Sequence, residues 1–268
     1  MLKRLAPAKI NLFLHVTGRF NDGYHELQTV YQLIDWCDEI EFELTSDGSI
    51  ARGRAIEGVE EADEMTVLAA RKLRFHFPGS EGVNIHCKKN IPIGASLGGG
   101  SSDAATTLLA LNELWELGAE LSQLAEIGLE IGADVPVFVF GKNAWAEGKG
   151  EILSNVSVNE QLYLVVYPGF SVSTARIFEA FHGTPYTEKI ANEPFLMSDV
   201  VNDLEVITCT LYPEVRKLID FLKQWGLTRM TGSGSAAFIP IQSRGFGESI
   251  IAELPAAWIG RVCLGQSS

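Results

Sequence analysis

Directly before the clearest helical pattern in the chain stands Pro92-Ile93-Gly94-Ala95-Ser96-Leu97-Gly98-Gly99-Gly100-Ser101-Ser102. The helical pattern covers residues 101–118, has one of residues 101–103 as its predicted N-cap, and stops at Gly118. Consecutive glycines let backbone N–H groups approach a ligand, and a helix start adds unpaired donors and partial positive charge. The stretch therefore predicts a phosphate-binding loop that holds a triphosphate.

Two other glycine motifs do not fit this loop. No Lys-Ser or Lys-Thr pair follows the glycines, as the Walker A pattern requires, and the spacing differs from that of the Rossmann motif. Taken alone, the loop also fits a flexible Gly-Ser turn at a helix cap. The rest of the sequence has to decide between a nucleotide site and a simple turn.

Alternation of polar and apolar residues predicts strands on both sides of the first turn. In residues 8–16, Lys9, Asn11 and His15 share one face, which predicts a half-buried strand with its polar groups outward. A turn at Asp22-Gly23 precedes a second alternating run over residues 24–34. The short apolar run Val135–Phe140 predicts a buried strand. Further strands are predicted near residues 40–44, 83–87, 162–167 and 236–240, and further helices near 63–77, 121–131, 173–181 and 214–224.

The composition is that of a globular protein, with 46% apolar and 21% charged residues. A net charge of −13 disfavours nucleic acid and anionic membranes as partners, and an anionic small substrate would need a local group of donors. The four cysteines form no C-x-x-C pair, which argues against a zinc site. With no apolar leader at the N-terminus, we expect a cytoplasmic protein.

Three motifs, in order along the chain, resemble those of the GHMP small-molecule kinases: Pro7–Leu12, Gly98–Ser102 and Thr231–Ser235. The resemblance spans nearly the whole chain. It implies an α+β, two-lobed GHMP kinase fold of mixed sheets with helices, with the active site in the cleft between the lobes. The implied domains are an N-terminal domain over residues 1–153, which carries the phosphate-binding loop, and a C-terminal domain over residues 154–268.

Three further segments resemble the branch of this superfamily that acts on a cytidine diphosphate-linked methylerythritol: Asp22–Leu27, Gly132–Pro136 and Asn202–Glu205. That branch implies ATP-dependent phosphorylation of the substrate's 2-hydroxyl in the non-mevalonate isoprenoid pathway. ATP and Mg²⁺ are the implied cofactors, with Ser102 as the family-level candidate among otherwise unknown metal ligands. The implied protein is a monomer or homodimer that binds a small molecule.

The same resemblance implies the roles of individual residues. Asp134 is the implied catalytic base and Lys9 its partner, while the eleven loop residues quoted above hold the nucleotide. Because an ordinary aspartate has a pKa of about 4, Asp134 would orient the hydroxyl and accept its proton as phosphoryl transfer proceeds. The implied substrate contacts come from Asn11, from Tyr24 and His25 around the cytosine, and from Phe178 as a second ring. Asn11 fits a structural hydrogen bond nearly as well, and Phe178 fits a core position equally well.

One departure from the family pattern lies in the loop, which is usually richer in glycine where this chain has Ala95-Ser96. Alanine and serine resist positive φ, so the geometry next to the nucleotide is an open question. We interpret the other histidines, His15, His76, His86 and His182, as structural.

Two other functions fit parts of the pattern. Another GHMP kinase, acting on homoserine, mevalonate or a sugar, would share the phosphate loop. A noncatalytic sensor of nucleotide or ligand would also share it, although the presence of both Lys9 and Asp134 favours an enzyme.

Overall fold

A computed structural model describes residues 1–53, 60–79, 81–181, 185–192, 197 and 199–267, so His182 lies outside the described residues. The described residues form runs of strands and runs of helices, with mostly antiparallel strand pairs, which confirms the mixed α+β class. None of its helices is long and apolar enough to cross a bilayer. The strands are β1 (Leu2–Arg19), β2 (His25–Thr45), β3 (Ile50–Arg52), β4 (Gly82–Lys88), β5 (Ala144–Gly148), β6 (Ile152–Asn155), β7 (Gln161–Tyr167), β8 (Arg229–Met230), β9 (Ala237–Ile241) and β10 (Ile259–Gly265). The helices are α1 (Met65–His76), α2 (Gly99–Leu114), α3 (Leu121–Leu129), α4 (Val135–Phe140), α5 (Thr174–Ala180), α6 (Glu205–Leu211), α7 (Pro213–Leu222) and α8 (Arg244–Ile251).

Contacts between residues divide the chain into two compact units, each built from several segments. The first unit comprises Met1–Ala8, Cys37–Ile91 and Gly98–Gly141, and the second comprises Lys9–Trp36, Pro92–Leu97 and Lys142–Ser268. The two continuous domains predicted on either side of residue 153 are a different division of the chain from these contact-based units, and that boundary stays a prediction.

The first unit contains the start of β1, the second half of β2, β3 and β4, together with helices α1–α4. The second half of β2 pairs antiparallel with β4, from Glu39↔Lys88 to Thr45↔Gly82, and β3 runs parallel to β4. Helix α2 packs against α1, α3 and α4. Because three helices surround α2, the position of its first turn is fixed by packing.

In the second unit, β7 is the central strand and pairs antiparallel with β10 on one side and β9 on the other. The first half of β2 pairs with β5, and β9 pairs with β8. Apolar side chains of helices α5–α8 cluster with those of β7 and β9, with Ile177, Leu218 and Ile250 among them. This core supports the strands and turns that hold the unit's polar residues.

Two predicted elements are corrected by the structure. The run Val135–Phe140 is helix α4 and not a strand, because Pro136 stands in its first turn, where a missing N–H costs nothing, and Gly141 ends it at φ 70°. The strands predicted at residues 24–34 and 40–44 are one continuous strand, β2, of 21 residues.

The cap of α2 and the faces of β1 also differ from prediction. Helix α2 begins at Gly99 after Gly98, whose φ of 72° suits glycine, so residues 101–103 lie inside the helix. On β1 both faces are buried from Ala8 to Val16, and the polar face is therefore not directed outward. The polar side chains there are accommodated by hydrogen bonds described below.

Candidate active site

Lys9 lies on β1 in the second unit, next to Leu97 in the middle of the glycine loop. Its backbone N–H donates to the carbonyl of Leu97 at 2.9 Å. The side chain is 3% exposed, and its Nζ donates to Asn11 Oδ1 at 2.7 Å and lies 5.3 Å from the centre of the Tyr31 ring. Because a buried ammonium needs compensating partners, these contacts hold Lys9 in one orientation beside the loop.

Asn11 connects Lys9 to the neighbouring strands and turns. Its Nδ2 donates to Thr29 Oγ1 at 3.0 Å, and its backbone N–H donates to Thr231 Oγ1 at 2.9 Å. Both ends of the amide are therefore used within the protein, since Oδ1 accepts from Lys9. The structure thus gives Asn11 the structural hydrogen bonds expected as an alternative, and its contact with substrate stays a prediction.

The first part of the glycine loop, Pro92–Leu97, belongs to the second unit. At Gly94, φ is 73°, and a Cβ atom there would lie 2.4 Å from the side chain of Ser171. The carbonyl of Ile93 accepts a hydrogen bond from the Tyr167 hydroxyl at 3.3 Å. Ala95 and Leu97 are buried, which anchors the loop on both sides of Ser96.

Ser96 adopts the left-handed conformation, with φ 58°, at one of the positions where the family usually has more glycine. Its hydroxyl lies 3.1 Å from Ser233 Oγ and donates to the carbonyl of Gly234. Ser233 Oγ also lies 2.7 Å from Thr174 Oγ1. These hydrogen bonds offset the steric cost of a non-glycine residue at positive φ and attach the loop to the 231–235 turn.

We expect Ser96→Ala to lower the free energy of unfolding by about 1–2 kcal/mol, because it keeps the unfavourable φ and loses the hydroxyl's hydrogen bonds. Ser96→Gly loses the same bonds but relieves the backbone, so it should be more stable than Ser96→Ala by about 1 kcal/mol. Urea unfolding of both variants checks the order. If Ser96→Ala were the more stable variant, backbone strain at residue 96 would be excluded.

The second part of the loop belongs to the first unit and forms the start of α2. A Cβ atom at Gly99 would lie 3.1 Å from Ile91 and 3.4 Å from an oxygen of Asp38, so a side chain there would be tightly crowded. Ser102 is fully buried in the first turn, and its Oγ has no hydrogen-bond partner among the described residues. The helix start thus presents backbone N–H groups and one buried, unsatisfied hydroxyl.

A buried ionic cluster joins the two ends of the loop within this unit. Lys89 Nζ donates to Asp38 and, at 2.5 Å, to Asp103 of α2. Asp38 Oδ1 accepts the backbone N–H groups of Asn90 and Ile91 at 2.5 and 2.8 Å. Burial raises the pKa of Asp103, and the Lys89 ammonium opposes that rise. The cluster connects the residues just before the loop to the helix just after it.

Asp134 lies at the start of α4, in a turn that is packed beside α2. The turn is closed by hydrogen bonds from Gly132 N–H to the Gly128 carbonyl and from Val135 N–H to the Gly132 carbonyl, both at 3.0 Å. A Cβ atom at Gly132 would lie 3.8 Å from Ser101 Oγ. Asp134 is therefore carried by a turn that borders the first turn of the phosphate-loop helix in the same unit.

The predicted cytosine residues lie together in the second unit. His25 stacks on Phe178, with ring centres 5.3 Å apart, and meets the edge of Phe181 at 5.6 Å. Phe178 also packs against the unit's apolar core, so its two interpretations are compatible. Tyr24 is 62% exposed, which leaves much of its ring accessible.

Several residues that shape this arrangement have side chains whose contacts were not predicted from the sequence. Ser233, Thr174 and Thr29 hold the loop and Asn11, and the amide of Asn202 donates to the carbonyls of Met230 and Gly232 at 2.8 Å. Asn202 stands in a segment that resembles the family, which was a usable signal. Ser233 lies in the Thr231–Ser235 motif and had the same signal, whereas Thr29, Thr174 and Lys89 lie outside the motifs and had none.

Among the other histidines, His15 Nε2 accepts from the Val201 N–H at 3.4 Å, and His76 pairs with Glu130 at 3.0 Å.

The described residues contain no cluster of three or more His, Cys, Asp or Glu side chains that could hold a metal ion.

Comparison with protein families gives two matches. The model of the N-terminal domain of GHMP kinases matches residues 64–142, and the model of the C-terminal domain of GHMP kinases matches residues 196–260. The first match includes the whole glycine loop, α2 and Asp134, and the second includes the 231–235 turn.

Relatives with known names agree with these matches. A 4-diphosphocytidyl-2-C-methyl-D-erythritol kinase of Aromatoleum aromaticum is 46% identical over 253 residues, which cover 94% of this chain and 89% of that protein. The crystal structure of a 4-(cytidine 5'-diphospho)-2C-methyl-D-erythritol kinase has a TM-score of 0.85 at 32% identity and covers 99% of this chain and 100% of its own. A homoserine kinase from Cytophaga hutchinsonii has a TM-score of 0.72 at 16% identity, covering 99% and 94% of the two chains, and shows the shared fold alone.

Proposed function

The chain belongs to the family of 4-diphosphocytidyl-2-C-methyl-D-erythritol kinases within the GHMP kinases, and from this premise we propose that it transfers the γ-phosphoryl group of ATP to the 2-hydroxyl of 4-diphosphocytidyl-2-C-methyl-D-erythritol. It is an ATP-dependent small-molecule kinase with an alcohol as acceptor. The reaction is a step of the non-mevalonate isoprenoid pathway.

One observation in the structure carries the proposed chemistry. Lys9 is bonded through its backbone N–H to the Leu97 carbonyl of the loop proposed to hold the triphosphate, and its buried ammonium is fixed by Asn11. Phosphoryl transfer depends on positioning and on stabilisation of charge more than on covalent chemistry by the protein. A fixed cation beside the loop, with Asn11 orienting it, meets the second requirement.

The proposed roles divide the transfer among three groups. Backbone N–H groups of the loop and the start of α2 bind the phosphates. Lys9 stabilises negative charge on the transferring group. Asp134 orients the acceptor hydroxyl and takes its proton as the new O–P bond forms and the bond to ADP breaks.

Magnesium is proposed as the second cofactor, and the described residues fit it. Mg²⁺ in kinases is held largely by substrate phosphates and water, with one or two protein oxygens. The unsatisfied buried hydroxyl of Ser102 is the protein oxygen that we propose for it. The ion would offset charge on the β- and γ-phosphates.

The cytosine is proposed to bind at Tyr24, His25 and Phe178. We expect Phe178→Ala to raise KM for the cytidine substrate by about tenfold with little change in kcat, because base stacking is worth about 1–3 kcal/mol and acts equally before and during the reaction. The measurement is steady-state kinetics at saturating ATP. Phe75→Ala, at an exposed position on α1, is the matched control. A fall in kcat with KM unchanged would remove Phe178 from substrate binding.

The proposed substrate is tested by ADP release with ATP, magnesium and each of three alcohols: the cytidine substrate, homoserine and mevalonate. Selective turnover of the cytidine substrate is expected. If only homoserine or mevalonate were phosphorylated, the protein would still be a kinase, but the proposed cytosine-binding residues would be wrong. Tight ATP binding without turnover of any alcohol would favour a sensor.

A further inference from the structure

Lys149 occupies the tip of the turn between β5 and β6, within the second unit. Gly148 and Gly150 flank it at φ 73° and 109°, and the Lys149 backbone N–H donates to Glu151 at 2.5 Å. The Gly150 N–H donates to the Glu147 carbonyl at 3.1 Å. Hydrogen bonds within the turn thus use the backbone N–H groups of Lys149 and Gly150. Lys149 contacts residues outside the turn through its ammonium.

The ammonium lies on the exposed ring of Tyr24. Its Nζ is 4.0 Å from the ring centre, within the range of a cation–π interaction, and 2.7 Å from Asp22 Oδ2. Asp22 also accepts the backbone N–H of Tyr24 at 3.1 Å. The hydrogen bond and charge of Asp22 raise the pKa of Lys149 above its ordinary value, so the group is cationic at neutral pH.

The same turn also contacts the residues around Lys9. A Cβ atom at Gly150 would lie 2.7 Å from the Tyr31 hydroxyl, and Lys9 Nζ lies 5.3 Å from the centre of the Tyr31 ring. The turn therefore contacts both Tyr24, proposed to contact the base, and Tyr31, whose ring packs on Lys9, the residue proposed to stabilise charge on the transferring group. In the substrate, the diphosphate is the covalent link between the cytidine and the methylerythritol.

We propose that Lys149 binds the diphosphate of the substrate, leaving Asp22 when the substrate arrives. This inference rests on the proposed function, because it takes Tyr24 as the base-contacting residue. The pair with Asp22 does not prevent the exchange, since both side chains are partly exposed and water screens such pairs. In a chain of net charge −13, this lysine supplies a local donor for an anionic ligand.

The test compares cytidine with CDP, which differ by the diphosphate. Binding of each is measured by calorimetry at a fixed magnesium concentration, with the nucleotide site saturated by a nonhydrolysable ATP analogue so that CDP does not occupy the phosphate loop. The variants are Lys149→Met and Asp22→Asn. Asparagine retains an oxygen that can accept the Tyr24 N–H and removes the charge that competes for Lys149.

We expect Lys149→Met to weaken CDP binding by at least about tenfold, the effect of losing one charge-assisted contact, and to leave cytidine binding within about twofold. Asp22→Asn should bind CDP at least as tightly as the unaltered protein. If both variants lost as much affinity for cytidine as for CDP, Lys149 would only hold Tyr24 in place. CDP binding that is unchanged in Lys149→Met would also overturn the proposal. If the unaltered protein bound neither cytidine nor CDP, the proposed cytosine site would be wrong, and the proposal for Lys149 would be rejected together with it.

Discussion

Replacing Asp134 with asparagine should lower turnover at least about 100-fold, the usual range for removing an acid–base group. Asparagine has the size of aspartate but cannot accept the proton of the attacking hydroxyl. The affinity for ATP should be unchanged, because the proposed nucleotide contacts come from the loop and the start of α2. Steady-state kinetics and calorimetric titration with ATP separate the two effects.

Glu130→Gln is the matched control for this substitution. Glu130 lies four residues earlier and pairs at the surface with Lys72 at 2.8 Å, so losing its charge should leave turnover unchanged. Turnover of Asp134→Asn close to that of the unaltered enzyme would remove Asp134 from its role. A matching loss in Glu130→Gln would point to a general electrostatic effect instead.

Lys89→Met should lower the free energy of unfolding by about 3–5 kcal/mol, because removing one partner of a buried ionic cluster leaves the others uncompensated. Asp38 is fully buried and Asp103 nearly so, while the Lys89 side chain is 16% exposed. Methionine matches the length of the stem and carries no charge. Urea unfolding followed by circular dichroism measures the change.

The adjacent residue supplies the control. Lys88 pairs with Glu39 at 2.7 Å, and both side chains are at least half exposed, so Lys88→Met should change stability by less than about 0.5 kcal/mol. Similar small losses in both variants would show that the Lys89 cluster contributes no more than a surface pair. A large loss in both would point to β4 itself as the cause.

The loop and helix α2 were predictable from sequence because glycine, serine and helical periodicity act locally. The start of α2 was displaced by two residues, since Gly98 can take a left-handed φ and let the helix begin at Gly99. The prediction of a strand at Val135–Phe140 was wrong because local signals at the ends of the segment were given too little weight. Six apolar residues do not distinguish a buried helix from a buried strand, and the signals that decide it are Pro136 and Gly141 at the helix ends.

The burial of both faces of β1 was not predictable, because alternation reveals which residues share a face and not what covers that face. Lys9 and Asn11 are buried by partners distant in sequence, such as Leu97 and Thr231. Ser96 shows the same limit, because its positive φ is offset by Ser233 and Gly234. Motifs located Lys9 and Asp134 in the sequence, whereas Lys89 and Lys149 became visible only through their contacts.

The measurement that tests the central claim most directly is the identification of the product formed from ATP and 4-diphosphocytidyl-2-C-methyl-D-erythritol, by mass spectrometry and phosphorus NMR. We predict the gain of one phosphoryl group as a monoester at the 2-hydroxyl, with one ADP released per product. A phosphoryl group on any other oxygen, or no product from an enzyme that binds ATP, would contradict it.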